Sequence, residues 1–531
     1  NAAAAVLVSV ITVRLFGDDE IALAIGTLAV TFLILVFSEI TPKVIGAAYA
    51  EAIALPIAFV LILTGVALMF HLDFFDAQLV AQNLLSGADS FPLMALPFFM
   101  LAGELMNRGG ITLRLVDFSQ ALMGHLRGGL AHVNILSSIL FAGLSGSAVA
   151  DTSAIGGTLI PAMQKNGYTR KFAAAVTAAS SVIGPIIPPS GIMIIYAYVM
   201  GESVAALFLA GIVPGLLVGI GLMVMVRLLA DRYDLPKAER VVKSGQSITP
   251  LEGIVAFVLL RINVAGLLVA AFNGVAVLLG GIDVNRWLVF LILLPLAHVL
   301  LLRLRRNVSA EFRTVCKKAV APLQTPIIIL GGILIGVFTP TEASAIAVAY
   351  ALIVSFFVLR SLKLSDLPEV LTKSALSSAT VLLLVGAAVA FKTVVSLSHA
   401  PEILAETILS LSQNPLILLF LINVLLFVVG MFLDAGPAII ILGPILAPIF
   451  VDLGVHPVHF AIIMSVNLTV GLATPPMGLV LFVASQVSGE KVETISKAIL
   501  PFLAVEILVI FLITYIPAIS MTVPRWAGFV Q

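Results

Sequence analysis

Two distant parts of the chain share an unusual pattern, an apolar segment interrupted by Gly-x-x-x-Pro-Pro-x-Gly. The pattern occupies residues 184–191 and returns at residues 471–478. Proline has no amide N–H, so two adjacent prolines prevent a helix from completing its hydrogen-bond ladder, while glycine lets the chain turn tightly. We therefore predict two broken helices, at 172–200 and 457–488. The residues that form the two breaks are Gly184, Pro188, Pro189, Gly191, Gly471, Pro475, Pro476 and Gly478.

The composition indicates whether these breaks lie in water or in a membrane. Hydrophobic residues make up 61% of the chain and charged residues 11%, with a mean hydropathy of +1.18. Soluble domains contain about 25% charged residues, so this sequence predicts an all-α polytopic membrane protein embedded in a lipid bilayer. The formal net charge is zero, which argues against nucleic acid as a partner. Cys316 is the only cysteine, which excludes an internal disulfide.

The distribution of charge predicts two re-entrant helical hairpins. Segment 129–162 is flanked by Arg127 and Lys165, so the positive-inside rule places both of its ends in the cytoplasm. Segment 415–451 is flanked by acidic residues and is expected to open to the outside. Hairpins of opposite orientation indicate inverted repeats, the arrangement of many secondary transporters.

Each predicted hairpin contains one aspartate. Asp151 is followed ten residues later by Pro161, and Asp434 is followed at the same interval by Pro444. We expect both aspartates to be buried. Because ionisable groups inside a membrane are costly and usually functional, they are candidate site residues. The alternative is that each caps a helix or pairs with a buried base.

Six stretches carry a resemblance to a known family, namely PFFMLAGELMNRGGI (97–111), FAGLSGSAVADTSAIGGTLIPAM (141–163), SSVIGPIIPPSGIMIIYAY (180–198), GVFTPTEASAIAVAYAL (336–352), GMFLDAGPAIIILGPILAPI (430–449) and NLTVGLATPPMGLVLFV (467–483). Together they resemble the large membrane subunit of tripartite ATP-independent periplasmic (TRAP) transporters. The resemblance implies an elevator-type transporter in the bacterial inner membrane that takes up organic anions with sodium and needs no organic cofactor. It also implies two partners, a small four-helix permease subunit and a periplasmic substrate-binding protein.

Sodium is a hard cation that prefers oxygen ligands, which unwound hairpin tips and helix breaks can supply. Helix N-termini at the same places would attract an anionic substrate. Besides the break residues and the two aspartates, the predicted ion and substrate site contains Ser145, Gly146, Ser147, Ser180, Ser181, Gly430, Asn467, Thr469 and Thr474. The predicted sodium ligands are Ser145, Ser147, Asp151, Asp434 and Thr474. Any of these hydroxyls could instead bond back to its own helical turn.

Four regions are expected. Residues 1–53 form an atypical N-terminal membrane segment, in which SEITPKVIGAAYAEAIALP (38–56) resembles the transmembrane domain of CorC/cyclin M-type magnesium transporters, with Glu39 at the position of a magnesium-coordinating carboxylate. Residues 54–244 form the first repeat. Two further apolar runs within 245–302 predict an inserted helical pair, and residues 303–531 form the second repeat.

Three other functions are compatible with parts of the sequence. Magnesium transport rests on residues 1–53 alone. An intramembrane aspartyl protease could use Asp151 and Asp434, but neither has a Gly-x-Gly-Asp context. A channel could also contain broken helices, although paired hairpins favour alternating access. The sequence therefore predicts a transporter rather than an enzyme, and it leaves the substrate open among sialic acid, a dicarboxylate, a keto acid and a sulfonate.

Overall fold

The computed structural model describes residues 77–88, 92–236, 248–278, 286–334, 336–397 and 414–530, together with Ile62 and Ser412. The predictions for residues 1–53, including Glu39, lie outside the described residues. The described residues contain nineteen α-helices and no β-strand, which confirms the all-α prediction.

The first predicted repeat, residues 54–244, contains eight described α-helices. They are α1 Ala77–Ala88, α2 Ala95–Arg108, α3 Ile111–Met123, α4 Gly129–Ser145, α5 Ala148–Lys165, α6 Arg170–Ser181, α7 Gly191–Met200 and α8 Val204–Leu229. The predicted insert contains α9 Pro250–Leu278 and α10 Arg286–Arg306.

The second part of the chain repeats much of this order. Its helices are α11 Ala310–Leu334, α12 Pro340–Ile353, α13 Leu367–Leu397, α14 Pro415–Phe432, α15 Ala435–Asp452, α16 Pro457–Gly471, α17 Leu479–Ser488, α18 Val492–Tyr515 and α19 Ala518–Trp526. Local signals fix several starts. Thr339, for example, forms a capping box with Glu342 just before Pro340, the first residue of α12.

Seven helical segments in the described residues are long and apolar enough to cross a membrane: Val204–Leu229, Pro250–Val269, Pro340–Val358, Leu364–Ala387, Pro415–Phe432, Ala435–Asp452 and Val492–Tyr515. The chain is therefore a polytopic membrane protein. The two helices of the second predicted hairpin, α14 and α15, are both among these segments. Their length alone would allow each to span, so re-entry of this hairpin stays a prediction.

The two parts of the chain interlock through their hairpins and broken helices. Helix α5 of the first hairpin packs against α17, and α15 of the second packs against α7. Small residues permit these contacts. A methyl group added to Gly156 would lie 3.4 Å from Val487 Cγ1, and one added to Gly436 would lie 3.5 Å from Ile195 Cδ1. Each hairpin is thus held by the broken helix of the opposite half.

The remaining spans surround this assembly and also pair across the halves. Helix α2 packs against α12 and α13, and α3 packs against α11. Two ion pairs join α2 to the start of α13, from Arg108 to Glu369 at 3.2 Å and from Lys373 to Glu104 at 3.7 Å. They lie partly exposed at helix ends, where such pairs contribute at most about 1 kcal/mol.

The region between the halves contains two helices, α9 and α10, which pack against each other, while α9 also packs against α11. The Arg114 guanidinium lies 3.7 Å from the largely buried Glu252 carboxylate at the start of α9. This ion pair fixes one end of α9 to α3, so the helical pair is attached to the surrounding spans.

The re-entrant arrangement can be tested by cysteine labelling. With Cys316 replaced by serine, we expect His125→Cys and Asn166→Cys to react with a membrane-impermeant maleimide from the cytoplasmic side only. Ser412→Cys and Asp452→Cys, at the two ends of the second hairpin, should react from the outside only. If the two members of either pair were labelled from opposite sides, that segment would cross the membrane and would not be a re-entrant hairpin.

Candidate functional site

The tip of the first hairpin is a two-residue connection. Helix α4 ends at Ser145, Gly146 adopts a left-handed conformation with φ of 59°, and Ser147 caps α5 by accepting a hydrogen bond from the Ala150 amide. Glycine is suited to this position because other residues are disfavoured at positive φ. The tip therefore exposes serine oxygens beside a helix N-terminus.

Asp151 lies one turn into α5 and is fully buried. The Ser145 hydroxyl donates a hydrogen bond to Asp151 Oδ1, whereas Oδ2 is buried with no hydrogen-bond partner. A carboxylate oxygen in that state calls for a compensating ligand, because removing a charged group from water costs several kcal/mol. Asp151 is thus the strongest candidate ion ligand in the first half.

The first broken helix faces this carboxylate. A methyl group added to Gly184 would lie 2.4 Å from Asp151 Oδ2, so only glycine leaves room for the carboxylate. The hairpin tip touches the same break, since a methyl group on Gly146 would lie 2.4 Å from the Pro189 carbonyl oxygen. The structure therefore brings together Ser145, Gly146, Asp151 and Gly184, four residues of the predicted site.

The break also begins a new helix at the site. Pro188 and Pro189 are joined by a cis peptide bond, and Ser190 caps α7 by accepting a hydrogen bond from the Met193 amide at 3.3 Å. The start of α7 at Gly191 lies beside Gly146, because a methyl group on Gly146 would be 3.4 Å from the Gly191 nitrogen. Two helix N-termini, of α5 and α7, thus lie next to each other.

A buried polar network holds the first hairpin against α6. Asn134 donates to Thr177 at 2.7 Å and accepts from Ser180 at 3.0 Å, while Ser138 donates to Ser180 at 2.9 Å. Ser180 is therefore a structural partner between α4 and α6. Ser181 donates to the Thr177 carbonyl of its own helix at 2.7 Å. This is the alternative given for the hydroxyls of the predicted site, in which the side chain bonds back to its own helical turn.

The second hairpin differs at its tip. Asp434 is exposed rather than buried, so that expectation was wrong. Its carboxylate caps α15 by accepting a hydrogen bond from the Ala435 amide at 2.8 Å. Asp434 is the N-cap itself, whereas Asp151 lies four residues beyond its cap, Ser147. Both aspartates lie ten residues before a proline. That equal spacing does not reveal that they occupy different positions relative to the start of their helices.

The second break is packed backbone to backbone. A methyl group on Gly471 would lie 2.5 Å from the Gly430 Cα, and one on Gly430 would lie 2.8 Å from the Leu468 carbonyl oxygen. Both glycines are required by this close approach of α14 and α16. The Gly184 position in the first half contacts a carboxylate instead, so the two halves are not chemically equivalent. Pro475 and Pro476 are again joined by a cis peptide bond, and Gly478 packs on the Leu472 carbonyl.

A second polar network parallels the first. Asn467 donates to Asn423 Oδ1 at 2.6 Å, and Thr514 of α18 donates to the same oxygen at 3.1 Å. Thr469 donates to the Ser465 carbonyl of its own helix at 2.6 Å, and Thr474, in the break that follows α16, donates to the Val470 carbonyl at 2.9 Å. Asn467 therefore joins α14 to α16, and the two threonines satisfy their own turns.

Sequence reasoning missed Asn134, Ser138, Asn423 and Thr514. A signal was present, because Asn134 and Ser138 lie four residues apart on one face of an apolar helix. Asn423 is a single buried amide in an otherwise apolar helix. Within the described part of the chain no group of three or more His, Cys, Asp or Glu side chains could hold a metal ion, so divalent-metal chemistry finds no ligand cluster there.

The fold and this arrangement define a membrane transporter of the TRAP class. The chain matches the family of the tripartite ATP-independent periplasmic transporter DctM component over residues 44–519, which include the helical pair between the halves. The chain belongs to that family. Residues 1–77 also match the cyclin M transmembrane N-terminal domain, in agreement with the local resemblance noted in the sequence.

Characterised relatives support the same assignment. The chain is 35% identical to the sialic acid TRAP transporter large permease protein SiaM of Vibrio cholerae, covering 89% of this chain and 95% of that protein. It is 34% identical to the C4-dicarboxylate TRAP transporter large permease protein DctM of Pseudomonas aeruginosa, covering 87% and 92%. The solved YdaH transporter of Alcanivorax borkumensis, described as having an unusual topology, shares the fold with a TM-score of 0.52 at 16% identity, covering 90% and 98%. These relatives are transporters, not enzymes.

The contact between Gly184 and Asp151 can be tested by adding one methyl group. Gly184→Ala should displace the Asp151 carboxylate and reduce transport at least tenfold, since about 1.4 kcal/mol of lost ion affinity is a tenfold effect. Gly157→Ala is the matched control, because a methyl group there meets nothing within 4 Å. The measurement is solute uptake normalised to membrane expression. Equal uptake by the two variants would show that Gly184 is not part of the transport site.

Proposed function

We propose that this chain is the sodium-coupled permease subunit that takes up a small organic anion delivered by a periplasmic substrate-binding protein. Sialic acid and C4-dicarboxylates are the solutes in the names of its relatives, and both are carboxylates. The observation that carries the proposal is the buried Asp151 oxygen that lacks a partner and faces the first helix break.

The residues at the first tip suit a monovalent cation. Asp151 supplies one negative charge, Ser145 and Ser147 supply hydroxyl oxygens, and the unwound chain between Ser181 and Ser190 supplies carbonyl groups. All of these donors are oxygens, as sodium prefers. One carboxylate without a second acidic residue matches a single positive charge better than a divalent ion.

The second half would use different donors. Asp434 neutralises the start of α15, and the Thr474 hydroxyl keeps acceptor capacity after donating to Val470. Sodium binding at Asp434 and Thr474 remains part of the proposal. Because Asp434 is exposed, an ion there would bind more weakly than at Asp151, where solvent screens the charge less.

The anionic solute is expected at the neighbouring helix N-termini. The N-termini of α5 and α7 lie together beside Gly146, and each carries unsatisfied amide groups and a partial positive charge. A carboxylate bound there would lie next to the proposed sodium site. Proximity of the two charges gives a physical reason for coupling, since each ion lowers the cost of binding the other.

An elevator mechanism accounts for the interlocked packing. The pairs α5–α17 and α15–α7 tie both hairpins to both broken helices, so these elements would move as one body. Helices such as α2, α3, α11 and α12 would form the stationary scaffold. We place the complex in the bacterial inner membrane, with the small four-helix permease subunit associated with this scaffold.

Magnesium transport is retained as a second candidate for the N-terminal region alone. Its support is the cyclin M match over residues 1–77. Magnesium uptake that disappears on deletion of residues 1–53, while organic-anion uptake persists, would establish it.

Sodium coupling can be tested by removing the hydroxyls of the first tip. Ser145→Ala combined with Ser147→Ala should raise the half-saturating sodium concentration for uptake at least severalfold, because two oxygen donors are lost. Thr372→Ala combined with Ser377→Ala removes two exposed hydroxyls from α13 and should leave it unchanged. The measurement is uptake into proteoliposomes against sodium concentration, with solute and binding protein fixed. An unaltered half-saturating concentration in the tip variant would place the ion elsewhere, and uptake without sodium would reject sodium coupling.

A further inference from the structure

Glu506 is a buried acidic residue that the proposed transport site does not use. It lies in the middle of α18 and is 0% exposed. Neither of its carboxyl oxygens has a hydrogen-bond partner among the described residues. The other buried acidic groups differ, since Asp151 is bonded to Ser145 and Glu252 lies near Arg114.

The cost of such a group restricts its state. An ionised carboxylate without a partner is strongly disfavoured inside a membrane protein, where its effective desolvation penalty is several kcal/mol. Binding a proton removes the charge and most of that cost. A neutral acid can also donate a hydrogen bond to a nearby backbone carbonyl, which an ionised carboxylate cannot do.

The position of Glu506 connects it to the proposed moving elements. Helix α18 packs against α6 of the first broken helix and against α16 and α17 of the second, and also against α8. One turn before Glu506, the Phe502 ring lies 5.8 Å from that of Phe172 in α6. The adjacent Val505 packs closely on Gly221 of α8. Glu506 is therefore fully buried on a helix that packs against both broken helices and a long span.

None of the other ionisable groups on the surrounding described helices forms a hydrogen bond with Glu506. Helices α14 and α17 contain no ionisable residue, and the His459 ring of α16 lies 2.7 Å from the Ser520 hydroxyl and 3.2 Å from the Thr514 carbonyl. The remaining ionisable side chains on α18 and on the helices that pack against it are Arg170, Lys171, Arg227, Glu493, Lys497, Tyr515 and Arg525.

We propose that Glu506 is a proton-binding site whose occupancy is linked to the packing of α18 against the two broken helices. The carboxylate takes up one proton from water when the helices close around it and returns that proton to water when they separate. Proton binding is independent of the proposed function. Its exchange during the transport cycle rests on that function.

Infrared spectroscopy of the purified protein tests the proton directly. The wild-type protein should show a carboxylic-acid C=O band at neutral pH, and that band should be missing from Glu506→Gln. Glu493→Gln is the matched control, since it removes a carboxylate from the same helix near its end and should leave the band intact. Glu506→Leu provides a second assignment if the glutamine variant folds poorly.

Two further comparisons test exchange. The band should weaken as the pH is raised, because loss of the proton converts the carboxylic acid to a carboxylate, and it should change when sodium and solute are added. Uptake by the wild type and by Glu493→Gln should depend on pH, and uptake by Glu506→Gln should depend on it severalfold less.

Three results would overturn the proposal. The absence of the band from the wild-type protein would show an ionised carboxylate. A band that neither pH nor ligands alter would show a permanently neutral residue with a packing role. Identical pH profiles of uptake for Glu506→Gln and the wild type would show that proton exchange at Glu506 is not part of the transport cycle. A failure of sodium-coupled uptake alone would leave the infrared result standing, so the two proposals fail independently.

Discussion

The structure depends on satisfying polar groups in apolar surroundings. Each broken helix leaves backbone amides and carbonyls without helical partners, and a membrane interior offers no water to replace them. In the first half the break is enclosed by the hairpin tip, where Ser145 bonds Asp151 and Ser190 caps α7. The remaining buried oxygen, Asp151 Oδ2, is the one that sodium would satisfy. At the proposed sodium site, ion binding would therefore satisfy the last buried oxygen of this tip.

The two asparagine networks explain how the hairpins keep their positions. Asn134 ties α4 to α6, and Asn423 ties α14 to α16 and α18. A buried hydrogen bond between membrane helices contributes only about 0.6 kcal/mol on average. Such bonds therefore act mainly by fixing orientation, and in the second half the glycines Gly430 and Gly471 also let α14 and α16 pack closely. Each network therefore fixes one hairpin against the broken helix of its own half.

Much of this structure could be predicted from local sequence. The Pro-Pro pairs predicted both breaks, which lie between α6 and α7 and between α16 and α17. The re-entry of the two hairpins, predicted from the charge pattern, and the role of Asp151 in an ion site stay predictions. The register of Asp434 could not be predicted, because spacing to a proline does not show whether a residue caps a helix or follows the cap. The crossing of α5 with α17 and of α15 with α7 was also beyond sequence reasoning, since it depends on contacts between residues about 300 positions apart. The asparagine partners were recognisable only once both helices of each pair were placed.

The most direct test of the central claim is equilibrium binding of radioactive sodium to the purified protein, without solute or binding protein. The account predicts saturable binding to the wild type and loss of the tightest component in Asp151→Asn, which removes the charge while keeping the shape of the side chain. A control variant, Asp452→Asn at the far end of the second hairpin, should bind sodium as the wild type does. Undiminished binding by Asp151→Asn would contradict the assignment of the first hairpin tip as the sodium site.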